Sequence, residues 1–124
     1  MISLFTLTLP ENVIWYVQPE VLENNEDYAQ LSPQQAAHAF FQACADEDWE
    51  EMLKFWSATA AGEGIKSFLG GLEIISIGEP FKSGRYPGWF VPYEIKLKSG
   101  RIKKMKLAVR NDNAAKRYVV DGGI

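Results

Sequence analysis

Few residues in this chain of 124 could carry acid–base or nucleophilic chemistry. It has one histidine, His38, and one cysteine, Cys44, while Asp121 is a carboxylate that could face inward from the last predicted strand. With Tyr93 as hydrogen-bond donor, His38 or Asp121 could act as the general base of a lyase or isomerase. That chemistry needs a proton acceptor within reach of the substrate, with a pKa tuned by burial. The chain has no Ser-His-Asp pattern, phosphate loop or dinucleotide-binding glycine motif.

Each of these residues also has a plain structural interpretation. His38 lies about 100° around its predicted helix from the apolar stripe between Phe40 and Cys44, which indicates a flank or surface position. Cys44 falls on the stripe itself, as a small core residue does, and Asp121 precedes two glycines, where an Asx turn or cap is typical. A single cysteine allows neither an intrachain disulfide nor a cysteine-based zinc site. The sequence therefore predicts no catalytic residue, no metal and no cofactor.

The aromatic residues give the best indication of recognition. Aromatic side chains fill cores, line pockets and anchor interfaces alike, so the core is the first interpretation and a pocket or dimer face the second. A pocket beneath the predicted sheet has these candidate residues: Trp56, Tyr86, Trp89, Tyr93, Leu107, Tyr118 and Asp121.

Charge is divided between the two halves of the chain, which has a net charge of −3. Residues 1–63 contain eleven Asp or Glu and one Lys, whereas residues 64–124 contain twelve Lys or Arg and five Asp or Glu. The basic half suggests nucleic-acid binding, but the acidic pI of about 5.2 argues against it. The sequence favours instead basic strands and acidic helices as the solvated faces of one domain, or as parts that complement each other across a dimer.

Length and composition predict a single domain that buries its own core. No segment approaches the roughly 20 apolar residues of a membrane span, so no membrane insertion is expected. The first residues resemble a strand more than a signal peptide, which favours a cytoplasmic location, although the chain could be a fragment of a larger protein. Residues 1–31 are predicted as an N-terminal extension, made of a β arm or hairpin over residues 2–18 and an acidic linker.

Three helices are predicted between residues 32 and 71. The first begins with Ser32 as N-cap, proline at the next position and Gln35 completing a capping box. Its apolar residues then recur at helical spacing. The second begins at Asp48 with Glu51 as its capping-box partner. A third, short helix over residues 65–69 ends at the glycine pair 70–71.

From residue 72 the apolar period changes to two, which predicts four strands over residues 72–78, 89–98, 102–110 and 116–121. An odd-length loop with Gly100 at its tip joins the second and third strands. It is predicted to pair Tyr93 with Leu107 and Glu94 with Lys106, because this parity places all the apolar side chains on one face. The other face is predicted to be wet and rich in lysine.

The segments SPQQAAHAFFQACADEDWEEMLKFW, SGRYPGWFVPYEIKLKSG and LAVRNDNAAKRYVVDGG resemble NTF2-like (cystatin-like α+β) domains, in particular small C-terminal modules of larger bacterial proteins. The resemblance covers residues 32–124. It implies an α+β fold in which three N-terminal helices pack on a curved antiparallel sheet of about four strands and form a cone.

Three functional hypotheses follow from the residues and the resemblance. The first is a non-enzymatic NTF2-like module that binds a small ligand or peptide in its cone or associates with itself, with a homodimer formed through the sheet. The apolar inner face without a carboxylate favours it. The second is an NTF2-like lyase or isomerase, and the third is an anion or nucleic-acid surface on the lysine-rich strand face.

Overall fold

The computed structural model describes residues 26–56 and 63–124, which form an α+β fold of helices on one side of an open antiparallel sheet. The β arm predicted over residues 2–18 lies outside the described residues. The helices are α1 (Glu26–Ala29), α2 (Pro33–Ala45), α3 (Trp49–Leu53) and α4 (Glu63–Leu69). The strands are β1 (Glu73–Ile77), β2 (Trp89–Lys96), β3 (Ile102–Arg110) and β4 (Val119–Gly122), in the spatial order β1-β2-β3-β4.

The three predicted helices are confirmed, and their caps explain where they begin. Ser32 and Gln35 form both bonds of the capping box of α2. At α3 the Asp48 side chain accepts from the Glu51 N–H. The Glu51 carboxylate instead accepts from the Tyr28 hydroxyl at 2.7 Å, so α1 packs against α3. The end of the predicted acidic linker is therefore a helical turn.

The Lys98–Ser99–Gly100 loop explains why the predicted β2–β3 register was wrong by two residues. The Gly100 N–H bonds the Leu97 carbonyl at 2.7 Å, and Gly100 has a φ of +98°. Glycine is thus the third of three loop residues, as in a turn followed by a bulge, and not the central one. Tyr93 faces Met105 and Glu94 faces Lys104. The odd loop length is confirmed.

A register shift of two residues leaves each side chain on the same face of its strand. The predicted division of side chains between the two faces of the sheet is therefore kept. The inner face carries Val91, Tyr93, Ile95 and Leu97 of β2 and its continuation, all at most 5% exposed. On β3 it carries Leu107 and Val109, which are also buried, but Met105 on the same face is 45% exposed. The apolar inner face therefore does not extend to the start of β3, where Lys103 lies opposite Ile95.

Helix α2 covers the inner face and contacts each of the four strands. Its side chains Phe40, Phe41 and Cys44 are fully buried, and the Phe41 ring lies 4.6 Å from the Tyr93 ring. The Val120 N–H donates to the Phe55 carbonyl at 2.7 Å, which ties β4 to the chain that follows α3. The helices and sheet thus share one core. No helix within residues 26–56 and 63–124 has the length and apolar character needed to cross a membrane.

Candidate functional site

The outer face of the sheet gathers three aromatic rings. Phe90 points outward because it alternates with the buried side chains of β2. Phe81 pairs with it in an antiparallel bridge and so shares the face. The ring centroids of Phe81 and Phe90 lie 5.6 Å apart, and those of Phe90 and Tyr86 lie 5.0 Å apart. Ala108, which faces Phe90 on β3, is small enough to leave room above the sheet.

Two basic side chains lie against these rings. Lys106 Nζ is 5.8 Å from the Phe81 centroid and 5.9 Å from that of Phe90. The Arg110 guanidinium carbon is 5.8 Å from the Tyr86 centroid. Such contacts contribute about 0.5–1 kcal/mol at exposed sites. We call these five residues, Phe81, Tyr86, Phe90, Lys106 and Arg110, the aromatic–cation surface.

Two carboxylates close one end of the aromatic–cation surface. Asp112 takes a bidentate pair of hydrogen bonds from Arg110 at 2.6 and 2.7 Å. Asp121 accepts from the Tyr86 hydroxyl at 3.0 Å and from Arg110 at 3.4 Å. The hydrogen bond with Asp112 raises the pKa of Arg110, and the same contact lowers the pKa of Asp112. The charge of Arg110 is thus balanced locally, whereas Lys106 forms no ion pair with a described residue.

Partial burial raises the pKa of Tyr86, and its hydrogen bond to the Asp121 carboxylate raises it further. Tyr86 is therefore a neutral hydrogen-bond donor near neutral pH. It fixes the 82–88 loop above the sheet and is not poised to transfer a proton.

Gly88 allows this loop to lie so close to the sheet. A Cβ on Gly88 would stand 2.0 Å from the Val109 carbonyl oxygen and 2.8 Å from the Tyr86 ring. Only a residue without a side chain fits there, so Gly88 sets the position of Tyr86 above Arg110.

Charge is segregated between the two layers of the fold. Residues 26–56, which form most of the helix layer, contain seven Asp or Glu and one Lys. Residues 73–124, which form the sheet and its loops, contain eleven Lys or Arg and five Asp or Glu. The acidic balance of the whole chain therefore does not describe the outer face, which carries Lys104 and Lys106 on β3 and Glu94 opposite Lys104 on β2.

The predicted pocket residues divide between the two sides of the sheet. Tyr86 and Asp121 meet on the outer side. Tyr93 and Leu107 are buried in the core, and the Tyr93 hydroxyl donates to the Gly123 carbonyl at 2.7 Å. Burial raises the pKa of Tyr93 to about 12.

The remaining pocket candidates, Trp56, Trp89 and Tyr118, are partly buried against that core. The Trp56 ring stacks on Phe40 at 5.7 Å. Lys82 Nζ lies 5.0 Å from the Trp89 ring centroid.

The groups considered for proton transfer are not brought together. His38 is exposed on α2 and lines an open groove of about 460 Å³ against the edge strand β1. Asp121 is held by Tyr86 and Arg110 on the outer side, and Tyr93 is bonded to Gly123 on the inner side. Among the described residues, no group of three or more His, Cys, Asp or Glu side chains is arranged to hold a metal ion.

Sequence reasoning missed Phe81, which forms one end of the aromatic–cation surface. The parity of the strands placed Phe90 and Lys106 on one face, but nothing in the local pattern brings Phe81, which follows Pro80, beside Phe90. Comparison with protein-family models, curated proteins and solved structures finds no match for this chain.

Proposed function

We propose that this protein is a non-enzymatic binding module that holds an anionic partner on the outer face of its sheet. The observation that carries the proposal is the aromatic–cation surface. Lys106 is exposed there beside Phe81 and Phe90 and has Lys104 as a neighbour on the same face. The layered charge supports it, because a sheet layer with an excess of Lys and Arg attracts polyanions even when the whole protein is acidic. The separation of His38, Tyr93 and Asp121 favours binding over proton-transfer chemistry.

The NTF2-like assignment belongs to this proposal. Helices followed by an antiparallel sheet with one covered face support it, as does α2 lying across all four strands. In such a module the anionic partner would occupy the outer face of the sheet. A homodimer formed through the sheet would use the same face. A face-to-face homodimer would bring Lys104 and Lys106 of both copies together, which disfavours that arrangement.

Replacement of Lys106 by glutamine tests the proposal. With inorganic polyphosphate as probe, we expect the variant to bind roughly threefold more weakly at low salt, because one cationic contact is lost. Wild-type affinity should fall as salt rises. The measurement is a titration followed by intrinsic tryptophan fluorescence or calorimetry.

Ser67→Glu is the matched control, because it changes the net charge by the same amount at an exposed position of α4 in the helix layer. Its affinity should stay close to that of the wild type. Equal losses in both variants would show that only net charge matters and that the outer face is not the site. No binding of polyphosphate at low salt would contradict the proposal outright.

A second candidate function is the binding of a small ligand between the helices and the sheet, and one buried hydrogen-bond donor favours it. The Trp56 Nε1–H is buried and has no hydrogen-bond partner in the described part of the chain. A buried donor left unsatisfied costs about 1–3 kcal/mol, so a ligand with an acceptor group would find a ready partner there.

Replacement of Trp56 by phenylalanine tests whether the indole N–H lacks a hydrogen-bond partner in the folded protein. The variant removes the unsatisfied N–H and keeps a ring stacked on Phe40, so we expect the free energy of unfolding to change by less than about 1 kcal/mol. Urea unfolding provides the measurement. A loss of several kcal/mol, more than the smaller ring accounts for, would contradict an unsatisfied N–H and would remove the support for this candidate.

A further inference from the structure

The three rings of the aromatic–cation surface form a continuous row over the sheet. The row runs from Phe81 beside β2 through Phe90 to Tyr86, with tilts of 31° and 35° between neighbours. Phe81 is 38% exposed, so one end of the row is open to solvent. Phe90 and Tyr86 are half-buried, so Phe81 is the ring through which the row is most open to a partner.

From this row, and resting on the proposed anionic surface, we infer that the partner is single-stranded nucleic acid. Its bases would stack along the row from Phe81, and its phosphates would contact Lys106 and Lys104. Stacking on aromatic side chains and a cationic track for the backbone are the two elements that single strands require. A four-stranded antiparallel sheet that stacks two or three bases on outward aromatic residues is a known solution to this problem.

The position of the charges favours single strands over other anions. Lys106 reaches two rings at once, so a phosphate bound there would leave its base above Phe81 or Phe90. A simple polyanion would use the lysines and ignore the rings. Reading the grooves of a duplex requires a helix or ribbon that enters them, whereas this row lies on the sheet.

The carboxylates limit the site at one end. Asp112 and Asp121 engage Arg110 and Tyr86, so the negative charge beyond Tyr86 repels a phosphate chain. The bound nucleic acid is therefore expected to extend away from Tyr86, past Lys106 and towards Lys104. With phosphate contacts to Lys104 and Lys106, the logarithm of affinity should fall with the logarithm of salt with a slope of roughly −1.4.

The test compares three probes on the full chain at about 50 mM salt. They are a fluorescein-labelled oligothymidylate of about 12 nucleotides, an abasic strand of equal length, and inorganic polyphosphate. We expect the oligothymidylate to bind at least about tenfold more tightly than the other two, since each stacked base contributes about 5- to 150-fold.

Phe81→Ala should weaken oligothymidylate binding at least about fivefold and leave polyphosphate binding within about twofold. Phe81→Leu, which keeps apolar bulk but removes the ring, should act in the same direction. Phe68→Ala is the matched control: Phe68 is 36% exposed, and Lys103 Nζ lies 5.7 Å from its ring, but it is on α4. It should change neither affinity.

The possible failures are separable. Equal affinity for the oligothymidylate and the abasic strand would overturn the nucleic-acid inference and leave the anionic surface standing. Equal losses of oligothymidylate affinity in Phe81→Ala and Phe68→Ala would have the same meaning. So would displacement of the oligothymidylate by a polyglutamate peptide at the same concentration. Failure of every probe to bind would overturn both this inference and the proposed function.

Discussion

Gly88→Ala is expected to lower the free energy of unfolding by about 3 kcal/mol or more. The new methyl group would fall 2.0 Å from the Val109 carbonyl oxygen. That oxygen belongs to a strand paired with β2 at Trp89, so relief requires the loop to leave the sheet or the pairing to break. Overpacking against a rigid neighbour has a cost of this size. Guanidinium unfolding measures it, and the loss of Tyr86 contacts should appear in the NMR spectrum.

Gly84→Ala, in the same loop, separates crowding from backbone preference. Gly84 has a φ of +64°, but a Cβ there would meet nothing within 4 Å. Alanine at this position is disfavoured only by the left-handed backbone conformation, which should lower the free energy of unfolding by about 1–2 kcal/mol. A Gly88→Ala variant no less stable than Gly84→Ala would show that the loop is held less closely to β3 than described, and would weaken the argument for an ordered row of rings.

Phe41→Ala is expected to be the most damaging core substitution, with a loss of about 3–5 kcal/mol. Phe41 is fully buried, packs on Tyr93 at 4.6 Å and lies 5.3 Å from the Phe40 ring. Its removal leaves a cavity between α2 and the sheet, where the surroundings collapse only in part. A domain of this size has a total stability of about 5–15 kcal/mol, so chemical unfolding should show a large shift in midpoint.

Leu53→Ala serves as the control, because Leu53 is 47% exposed and its loss should cost about 1 kcal/mol or less. The folded fraction of Phe41→Ala should still bind polyphosphate as the wild type does, since the outer face is not touched. Equal stability losses in Phe41→Ala and Leu53→Ala would contradict the assignment of the core to the α2–sheet interface.

The sequence was sufficient for features set by neighbouring residues. The capping box at Ser32 fixes where α2 begins, and the alternation of β2 fixes which side chains face the core. The register of the hairpin depended on which loop residue takes a positive φ. Parity alone allows Gly100 at more than one loop position, so the prediction was right about the faces and wrong about the partners.

The candidate site depends on contacts that no local pattern encodes. Tyr86 and Asp121 are 35 residues apart in the chain and meet because β4 returns beside β3. Phe81 reaches Phe90 because the chain beyond Gly78 continues along β2 after Pro80. A sum of charges over the chain does not register the separation of acidic helices from basic strands, on which the proposed anionic surface depends.

Cys44 gives the fold a chemical reporter of its own. It is the single cysteine of the chain, it is fully buried, and burial raises its pKa to about 12. The reactive thiolate is therefore scarce in the native state, and reagents reach the sulfur only when α2 separates from the sheet. The rate of thiol labelling thus measures how often the helix layer opens, without any engineered probe and independently of what the outer face binds.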